Sequence, residues 1–310
     1  MATSGEWAEE QAALMPPDLG LLDPGVENLP PPRRTRVLAA AQRVVLGREL
    51  EGAHDRGELF AAYQPQIDLA TGRPTGVEAL MRWQHPRRGL VSPIEFIPIA
   101  EASGQIVKLG IWILEEACAQ AMSWRGSALD NLVVSVNVSV IQLNQPDFAK
   151  CVEHVLERTG LPANKLVLEV TETAMLRRGE LGFSTLCDLH AAGVRIAIDD
   201  FGTGYSCLSY LCDLPCHYLK IDKSFVQDVP GHNGAEAVAR AIVALGRSLG
   251  LRVIAEGVAK PEQADFLQSI WCDEAQGFLY AHPMRADGTR IWAETWDQHE
   301  VSSAILPPVQ

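Results

Sequence analysis

Several features that would place a chain in or across a membrane are missing from this sequence. None of its apolar runs approaches the ~20 residues that a helix needs to cross a bilayer. The first twenty residues, MATSGEWAEEQAALMPPDLG, contain no basic segment followed by an apolar one, so we predict no secretory signal. The seven cysteines are odd in number and scattered, which disfavours a disulfide framework. We therefore expect a cytoplasmic protein without a membrane segment.

Common catalytic and zinc-binding motifs are also missing. Cys207, Cys212 and Cys216 are separated by five and four positions, which does not match paired CxxC zinc ligands, and we interpret them as small buried apolar residues. The DFG triplet at 200–202 has no kinase glycine-rich loop or HRD motif beside it. The chain has no P-loop and no Gly-x-Ser-x-Gly motif. These absences argue against a protein kinase, a P-loop nucleotide hydrolase and a serine hydrolase of the Gly-x-Ser-x-Gly type.

Positive charge is scarce. Lysine and arginine number 26 against 39 aspartates and glutamates, which gives a formal net charge of −13. A chain this acidic is a poor candidate for holding polymeric nucleic acid through its phosphates. A small phosphorylated ligand remains compatible with this charge if bound metal ions or a few local cations cancel the field.

Composition divides the chain into three parts. Residues 1–35 are rich in proline, glycine and acidic residues, and Pro30 to Pro32 indicate an extended linker rather than a helix. From 36 to 56 the apolar spacing predicts an amphipathic helix that leads into the fold. We assign residues 1–35 to a linker-like tail, 36–300 to one catalytic domain and 301–310 to a C-terminal tail.

Strand-like runs alternate with helical segments over the catalytic domain. The helical patterns include 106–124, 146–160 and 234–250. The strand candidates are 59–69, 76–83, 132–139, 165–172, 194–201, 218–225, 251–258 and 272–278. Eight strands with helical crossovers predict a (β/α)₈ TIM-like barrel of the α/β class, with a doubly wound open sheet as the alternative. Only the turn ATGRPTG separates the first two strands, so the first strand should be antiparallel.

Polar residues stand at the C-terminal ends of nearly every predicted strand, where barrel enzymes carry their catalytic groups. They are Glu78, Asn137, Glu169, Glu172, Asp199, Asp200, Lys220, Asp222, Glu256 and Gln276. Some have structural alternatives: Asn137 as a helix cap, Lys220 and Asp222 as a salt bridge, and Gln276 as a loop residue.

The excess of carboxylates among these residues predicts a metal site. Like charges a few ångströms apart force protonation unless a cation balances them. Oxygen ligands are those that Mg²⁺ or Mn²⁺ prefers, and no histidine stands at a predicted strand end to favour zinc. Two such ions ~3.5–4 Å apart can activate a water and stabilise the leaving oxygen in phosphodiester cleavage.

The residues resemble those of the EAL domain, a family of bacterial cyclic di-GMP phosphodiesterases. VEALMRW carries Glu78 to Leu80 and Arg82, and SVNVS, LEVTE, DDFGTGYS, LKIDKSF, AEGV and QGFLYAHPM follow in the family's order. The resemblance spans residues 59–285. It implies a barrel with an antiparallel first strand and hydrolysis of cyclic di-GMP to linear pGpG. No cyclase signature of the GGDEF type is present.

The resemblance also implies roles for individual residues. One metal ion would be held by Glu78, Asn137, Glu169 and Asp199. Asp199 would bridge to a second ion, which Asp200 and Glu256 would also hold. Lys220 would orient or polarise the attacking water. The general base stays open: in one view it is Glu256, and in the other the attacking water needs no side-chain base.

Substrate-binding and regulatory roles follow in the same way. Gln64, Leu80, Arg82, Asp222 and Gln276 would line the cyclic di-GMP site, with Arg82 donating to a phosphate in a fixed fork. Glu172 would anchor the loop after Asp200, which in the family couples dimerisation to activity. The resemblance therefore implies a homodimer. The chain is either a stand-alone enzyme or part of a larger regulator with an upstream sensor or regulatory domain, and the sequence leaves both open.

Three positions depart from the family's pattern. Ala259 stands where an acidic residue is common, Cys207 where serine is common and His282 where arginine is common. None is an implied metal ligand, so we expect an active phosphodiesterase that uses two Mg²⁺ or Mn²⁺ ions. The alternatives are a receptor that binds cyclic di-GMP with weak catalysis, and another metal-assisted barrel enzyme in which Lys220 abstracts a proton.

Overall fold

The structure is a computed structural model that describes residues 31–172, 180–203, 211 and 213–296. The chain divides into two compact units, Met1–Glu51 and Gly52–Gln310. Much of the predicted N-terminal tail and the whole C-terminal tail lie outside the described residues, so these assignments stay predictions.

The described part of the first unit is helix α1, Pro31–Leu50. It begins five residues before the predicted start and ends before Arg56. The prediction of an extended segment around Pro31 is wrong, because proline is tolerated in the first helical turn, where an N–H has no partner within the helix.

The second unit alternates strands and helices. Its strands are β1 (Leu59–Asp68), β2 (Pro74–His85), β3 (Gly89–Val91), β4 (Val133–Asn137), β5 (Leu166–Thr171), β6 (Arg195–Phe201), β7 (Tyr218–Ile221), β8 (Arg252–Ala255) and β9 (Glu274–Ala275). Its helices are α2 (Pro93–Ala102), α3 (Ile106–Ser123), α4 (Val140–Leu143), α5 (Phe148–Thr159), α6 (Leu181–Ala191), α7 (Lys223–Val226), α8 (Asn233–Ser248), α9 (Pro261–Ser269) and α10 (Ala286–Thr295), and a 3₁₀ turn spans Ala163–Lys165.

Eight of the strands close into a barrel. The order of hydrogen-bonded neighbours is β1-β9-β8-β7-β6-β5-β4-β2, and β2 pairs with β1 to complete the ring. β1 runs antiparallel to both of its neighbours, and the other barrel pairs are parallel. Both the predicted barrel and its antiparallel first strand are confirmed, and the open-sheet alternative is excluded by this closure.

The strand ends differ from the prediction in several places. β3, an antiparallel addition to β2, has only three residues and was not predicted. β7 and β8 end at Ile221 and Ala255, earlier than predicted, because the chain turns there into the loops of the site. In the described part of the chain, no helix combines the length and the apolar character that a bilayer crossing requires.

A histidine does end one strand, since β2 runs on to His85. Its Nδ1 accepts the backbone N–H groups of Arg87 and Arg88, at 3.1 and 3.3 Å. The ring is buried beside Trp83, with ring centroids 5.2 Å apart. His85 therefore holds the turn after β2.

Candidate active site

Lys220 is the centre of a buried ionic cluster at the C-terminal mouth of the barrel. Its side chain is fully buried on β7. Four carboxylate oxygens surround its Nζ: Glu169 Oε2 at 2.5 Å, Glu256 Oε1 at 2.5 Å, Asp199 Oδ1 at 3.2 Å and Glu78 Oε2 at 3.9 Å. Four strands, or the residues directly after them, therefore deliver acids to one ammonium group. The alternative of a simple Lys220–Asp222 salt bridge does not describe this arrangement.

Two amide side chains donate hydrogen bonds to the carboxylate of Glu78. Asn137 Nδ2 donates to Glu78 Oε1 at 2.6 Å, and Gln276 Nε2 donates to Glu78 Oε2 at 2.6 Å. Gln276 Nε2 also donates to Gln64 Oε1 at 3.1 Å, across the β1–β2 pair where Gln64 lies opposite Glu78. Asn137 thus does not cap a helix, since Ser139 caps α4, and Gln276 is a buried member of the site.

Gln66 belongs to this network and was missed by the sequence analysis. It is 1% exposed, and its Nε2 donates to Gln276 Oε1 at 3.1 Å. A signal was available, because residues two apart on a strand share a face and Gln66 follows Gln64 at that spacing.

Asp199 and Asp200 reach the same mouth by a backbone distortion. Asp200 has φ 53°, in the left-handed region, and the pairing of β6 with β7 shifts between Ile198 and Phe201. β6 continues through Phe201, the end predicted from the sequence, with a bulge in the middle. Such a bulge re-aims side chains. Carboxylate oxygens of Asp199, Asp200 and Glu256 consequently lie within 4.8 Å of one another.

The chain after Asp200 is tied to Glu172. Glu172 is 4% exposed, and its Oε2 accepts the backbone N–H of Gly202 at 2.8 Å. Gly202 has φ +97°, a conformation that favours glycine, and a Cβ there would lie 2.9 Å from the Phe225 ring. Glu172 therefore contacts the start of the loop that follows β6.

Burial and mutual repulsion set the protonation of these groups. Burial raises the pKa of Glu169 well above its ordinary value, although Lys220 opposes this shift. Burial, with Asp199 and Glu78 nearby, raises the pKa of Glu256 to about 8 against the effect of Lys220. Burial and Asp199 raise the pKa of Asp200 to about 6. The cluster therefore has more acids than its cation can balance.

The carboxylates around Lys220 keep its ammonium group charged despite its burial. Burial would lower its pKa, but Asp199, Glu169, Glu256 and Glu78 together raise it well above the ordinary value. An ammonium held in this way stays protonated near neutral pH and donates hydrogen bonds. This argues against Lys220 as the base that abstracts a proton.

The donor set fits hard divalent cations. Glu169 Oε1 is buried and accepts no hydrogen bond from any described residue, although buried carboxylate oxygens normally have a partner. The five carboxylates of the cluster exceed its single ammonium by four charges, which two divalent ions would balance. The side-chain atoms of these acids that could coordinate a metal ion are all oxygens, the ligand atoms that Mg²⁺ and Mn²⁺ prefer.

The remaining predicted residues lie around the mouth. Leu80 and Arg82 share a face of β2 with Glu78 and line a cavity beside it. Burial lowers the pKa of Arg82, and Glu78 opposes that shift. Asp222 caps α7, with its Oδ1 accepting the N–H of Ser224 at 3.0 Å, and it also interacts with Asp200.

Two of the three departures from the family pattern lie within the described residues. The backbone N–H of Ala259 donates to Gln263 Oε1 at 2.8 Å, which holds the chain after Glu256 to the start of α9. His282 stacks on Phe278, an exposed aromatic, with ring centroids 4.0 Å apart. Cys207 lies outside the described residues.

The sequence of this chain is similar to a known protein family and to curated bacterial proteins. The family model of the EAL domain matches residues 47–283. The bifunctional diguanylate cyclase/cyclic di-GMP phosphodiesterase MucR of Pseudomonas aeruginosa is 41% identical over 248 residues, which cover 80% of this chain and 36% of MucR. The chain thus matches about a third of the length of that curated relative.

Solved structures agree with the sequence match. The cyclic di-GMP complex of the PaMucR phosphodiesterase is 41% identical, has a TM-score of 0.76 and covers 80% of this chain and 99% of that chain. The manganese/cyclic di-GMP complex of BlrP1 from Klebsiella pneumoniae is 29% identical, with a TM-score of 0.65 and coverage of 73% and 56%. The chain belongs to the EAL domain family.

Proposed function

We propose that this chain is a metal-dependent phosphodiesterase that hydrolyses cyclic di-GMP to linear pGpG. The observation that carries the proposal is the cluster around Lys220, where four carboxylates converge and Glu169 Oε1 has no hydrogen-bond partner among the described residues. An acid excess of this kind suits cation binding better than structural pairing. The similarity to a phosphodiesterase solved with cyclic di-GMP supports the choice of substrate.

The residues divide into two sets of oxygen donors. Glu78, Asn137, Glu169 and Asp199 would hold one divalent cation, and Asp199, Asp200 and Glu256 would hold the other. Bound cations supply Lewis-acid polarisation of the phosphate oxygens and stabilise the developing negative charge. The manganese complex of BlrP1 supports Mn²⁺ or Mg²⁺ as the ion.

Lys220 and Glu256 would act on the attacking water. Lys220 stays charged, so its Nζ would donate a hydrogen bond that orients the water toward the phosphorus. Glu256 is a candidate acceptor for the proton of that water, because bound cations would favour its ionised form over the protonated form that burial favours without them. Glu256 contacts Lys220 at 2.5 Å, so the two groups would act in concert.

Substrate contacts would come from the rim of the mouth. Arg82 would donate to a phosphate oxygen, and Gln64, Leu80, Asp222 and Gln276 would surround the rest of the ligand. Glu172 would hold the loop that starts at Gly202, and its hydrogen bond there supports that role. The homodimer, the upstream regulatory domain and the cytoplasmic location stay predictions.

Product analysis tests the proposal. Purified protein incubated with cyclic di-GMP and Mg²⁺ or Mn²⁺ should yield pGpG by chromatography, and a chelator should abolish the product. Binding of cyclic di-GMP without any pGpG under varied metal and pH conditions would instead identify a receptor. Failure of both binding and cleavage would reject the proposed substrate.

The variant Glu78→Ala tests the metal assignment. Its metal-dependent turnover should fall by at least about a hundredfold, because a metal ion supplies several kcal/mol of transition-state stabilisation. Glu157→Ala is the matched control, since Glu157 is exposed on α5 and away from the mouth. Turnover near the wild-type value in Glu78→Ala would contradict the two-metal assignment.

A further inference from the structure

A cavity opens beside the ionic cluster. It has a volume of about 510 Å³ and lies between β2, α2, α3 and the segment that follows β4. Arg82 and Asn137 belong to its wall, and Asn137 also bonds Glu78, so the cavity begins at the catalytic centre. Its volume falls within the roughly 300–1,000 Å³ that small-molecule sites occupy.

The wall of this cavity is mostly aliphatic. Its apolar members include Leu80, Ile97, Ile106, Ile113, Val138 and Val140. Such walls suit the flat faces of a nucleobase, since they bury it without offering hydrogen bonds to its faces. Hydrogen bonds to the edge of a base must then come from the few polar groups of the wall.

Glu101 is the only carboxylate among the described residues that line the cavity. It is half-buried near the end of α2, and Pro93, Ile97 and Glu101 follow one another at steps of four, on one face of that helix. Its side chain makes no hydrogen bond or ion pair with another described residue. Helix stability does not explain it, because an acid in the last turn meets the negative end of the helix dipole.

We infer that Glu101 reads the edge of one guanine of the substrate in this cavity and thereby sets the base specificity of the enzyme. The inference rests on the cyclic di-GMP phosphodiesterase function proposed above. Guanine presents two donors side by side, N1–H and the N2 amino group, and an ionised carboxylate is an acceptor-only group with two oxygens. Adenine presents an acceptor at N1, which would face the carboxylate without a proton between them.

The energetic consequence is a preference between bases. A buried acceptor that loses its donor is left unpaired, and sites built on hydrogen bonds therefore discriminate strongly against ligands that lack the bond. Inosine keeps N1–H but lacks the amino group, so it removes one of the two bonds. The adenine analogue removes both.

The experiment measures kcat/KM of the wild type for cyclic di-GMP, cyclic di-IMP and cyclic di-AMP. Cyclic di-IMP should be cleaved about tenfold to a hundredfold less efficiently than cyclic di-GMP, which is the expected effect of one hydrogen bond to a charged group. In Glu101→Gln the efficiency for cyclic di-GMP should fall by a similar factor, and the ratio between the two substrates should shrink toward one. An amide retains one acceptor, which N1–H can still use.

Glu95→Gln is the matched control, because Glu95 is exposed in the first turn of α2 and does not line the cavity. It should retain the wild-type ratio between substrates. A change in helix stability alone would lower both substrates equally in either variant, so the ratio separates recognition from structure.

The two proposals can fail separately. If the wild type cleaves cyclic di-GMP and Glu101→Gln keeps its efficiency and its substrate ratio, the inference about Glu101 is overturned and the phosphodiesterase stands. If the wild type cleaves none of the three, equilibrium binding of cyclic di-GMP and cyclic di-IMP to wild type and Glu101→Gln decides. Equal affinities of the wild type for the two ligands would then overturn the inference as well.

Discussion

At the N-terminal end of the parallel strands, Glu274 is 3% exposed, and at their C-terminal end Glu169 is 1% exposed. Both oxygens of Glu274 are occupied: Arg252 Nε lies 2.9 Å from Oε1, and Thr75 Oγ1 donates to Oε2 at 2.7 Å. Glu169 has Lys220 on Oε2 and no hydrogen-bond partner on Oε1 among the described residues.

The charges around the two glutamates differ in the same way. At the N-terminal end Arg252 also reaches Asp68 Oδ2 at 3.1 Å, while other oxygens of that network accept from a hydroxyl or backbone N–H groups. At the mouth, one ammonium faces four carboxylates. Burial alone therefore does not separate a structural acid from a functional one. The difference is whether both oxygens of the carboxylate have partners and whether nearby cations balance its charge.

The largest expected effect follows from replacing Glu169, the glutamate with one oxygen that accepts no hydrogen bond from a described residue. In Glu169→Gln, turnover of cyclic di-GMP should fall about a thousandfold, because a ligand to the metal site is lost. With chelator present, the free energy of unfolding should stay within about 1 kcal/mol of the wild type, since the substitution also removes one repelling charge. Initial rates and urea unfolding measure the two quantities.

Metal binding gives an independent readout for the same variant. Cations that bind only the folded wild type should raise its thermal midpoint, and the rise should be lost in Glu169→Gln. A variant that keeps both its turnover and its metal-induced shift would remove the distinction between the two ends of the barrel.

A smaller effect is expected from replacing Glu274, the glutamate with partners on both oxygens. Glu274→Gln should lower the free energy of unfolding by about 1–2 kcal/mol, because a charge-assisted bond to Arg252 is lost while Arg252 stays partly hydrated. Turnover should remain within twofold of the wild type, as the residue lies at the far end of the strands. Urea unfolding and initial rates test this prediction, and a large loss of turnover would speak against the separation of roles.

The barrel and the convergence of polar residues at its mouth could be predicted from the sequence. Alternation of strands and helices predicted the barrel, and the short turn before Pro74 predicted the antiparallel first strand, because a crossover needs more residues. Polar residues at strand ends predicted that Glu78, Glu169, Asp199 and Lys220 would converge. Periodicity and connection length suffice for features of this kind.

Other features depend on contacts between distant parts of the chain. The left-handed backbone of Asp200 arises where β6 slips against β7, and a local pattern does not reveal that slip. Glu101 lines the cavity only because α2 packs over β2, and its sequence context resembles that of a solvated helix end. Gly277 was placed in the strand candidate 272–278 only by its position, and the sequence does not show that a Cβ there would lie 2.0 Å from the carbonyl oxygen of Val258.

The smallest expected effect concerns His217, at the same end of the barrel as Glu274. Its Nδ1 accepts the backbone N–H of Ile196 at 3.2 Å, and its ring lies 5.2 Å from that of His190. Burial, together with His190 and Arg195, lowers the pKa of His217 below its ordinary value. The unfolded chain therefore binds this proton more readily than the folded protein does.

The sign of the pH dependence follows from that difference. The contribution of His217 to stability is complete above the unfolded pKa of about 6.5 and is lost as the pH falls through that value toward the lower folded pKa. In His217→Asn an amide oxygen can still accept from Ile196, but no proton is taken up. The difference in unfolding free energy between pH 7.5 and 5.5 should shift by less than about 1 kcal/mol relative to the wild type, because the half-exposed ring is screened by water. Glu169, Asp200 and Glu256 at the mouth have raised pKa values and act in the opposite direction in both proteins, so only the comparison of variant with wild type isolates His217. If this comparison shows no shift, or a wild type that loses less stability than the variant on acidification, the N-terminal end of the barrel holds its histidine without linkage to protons.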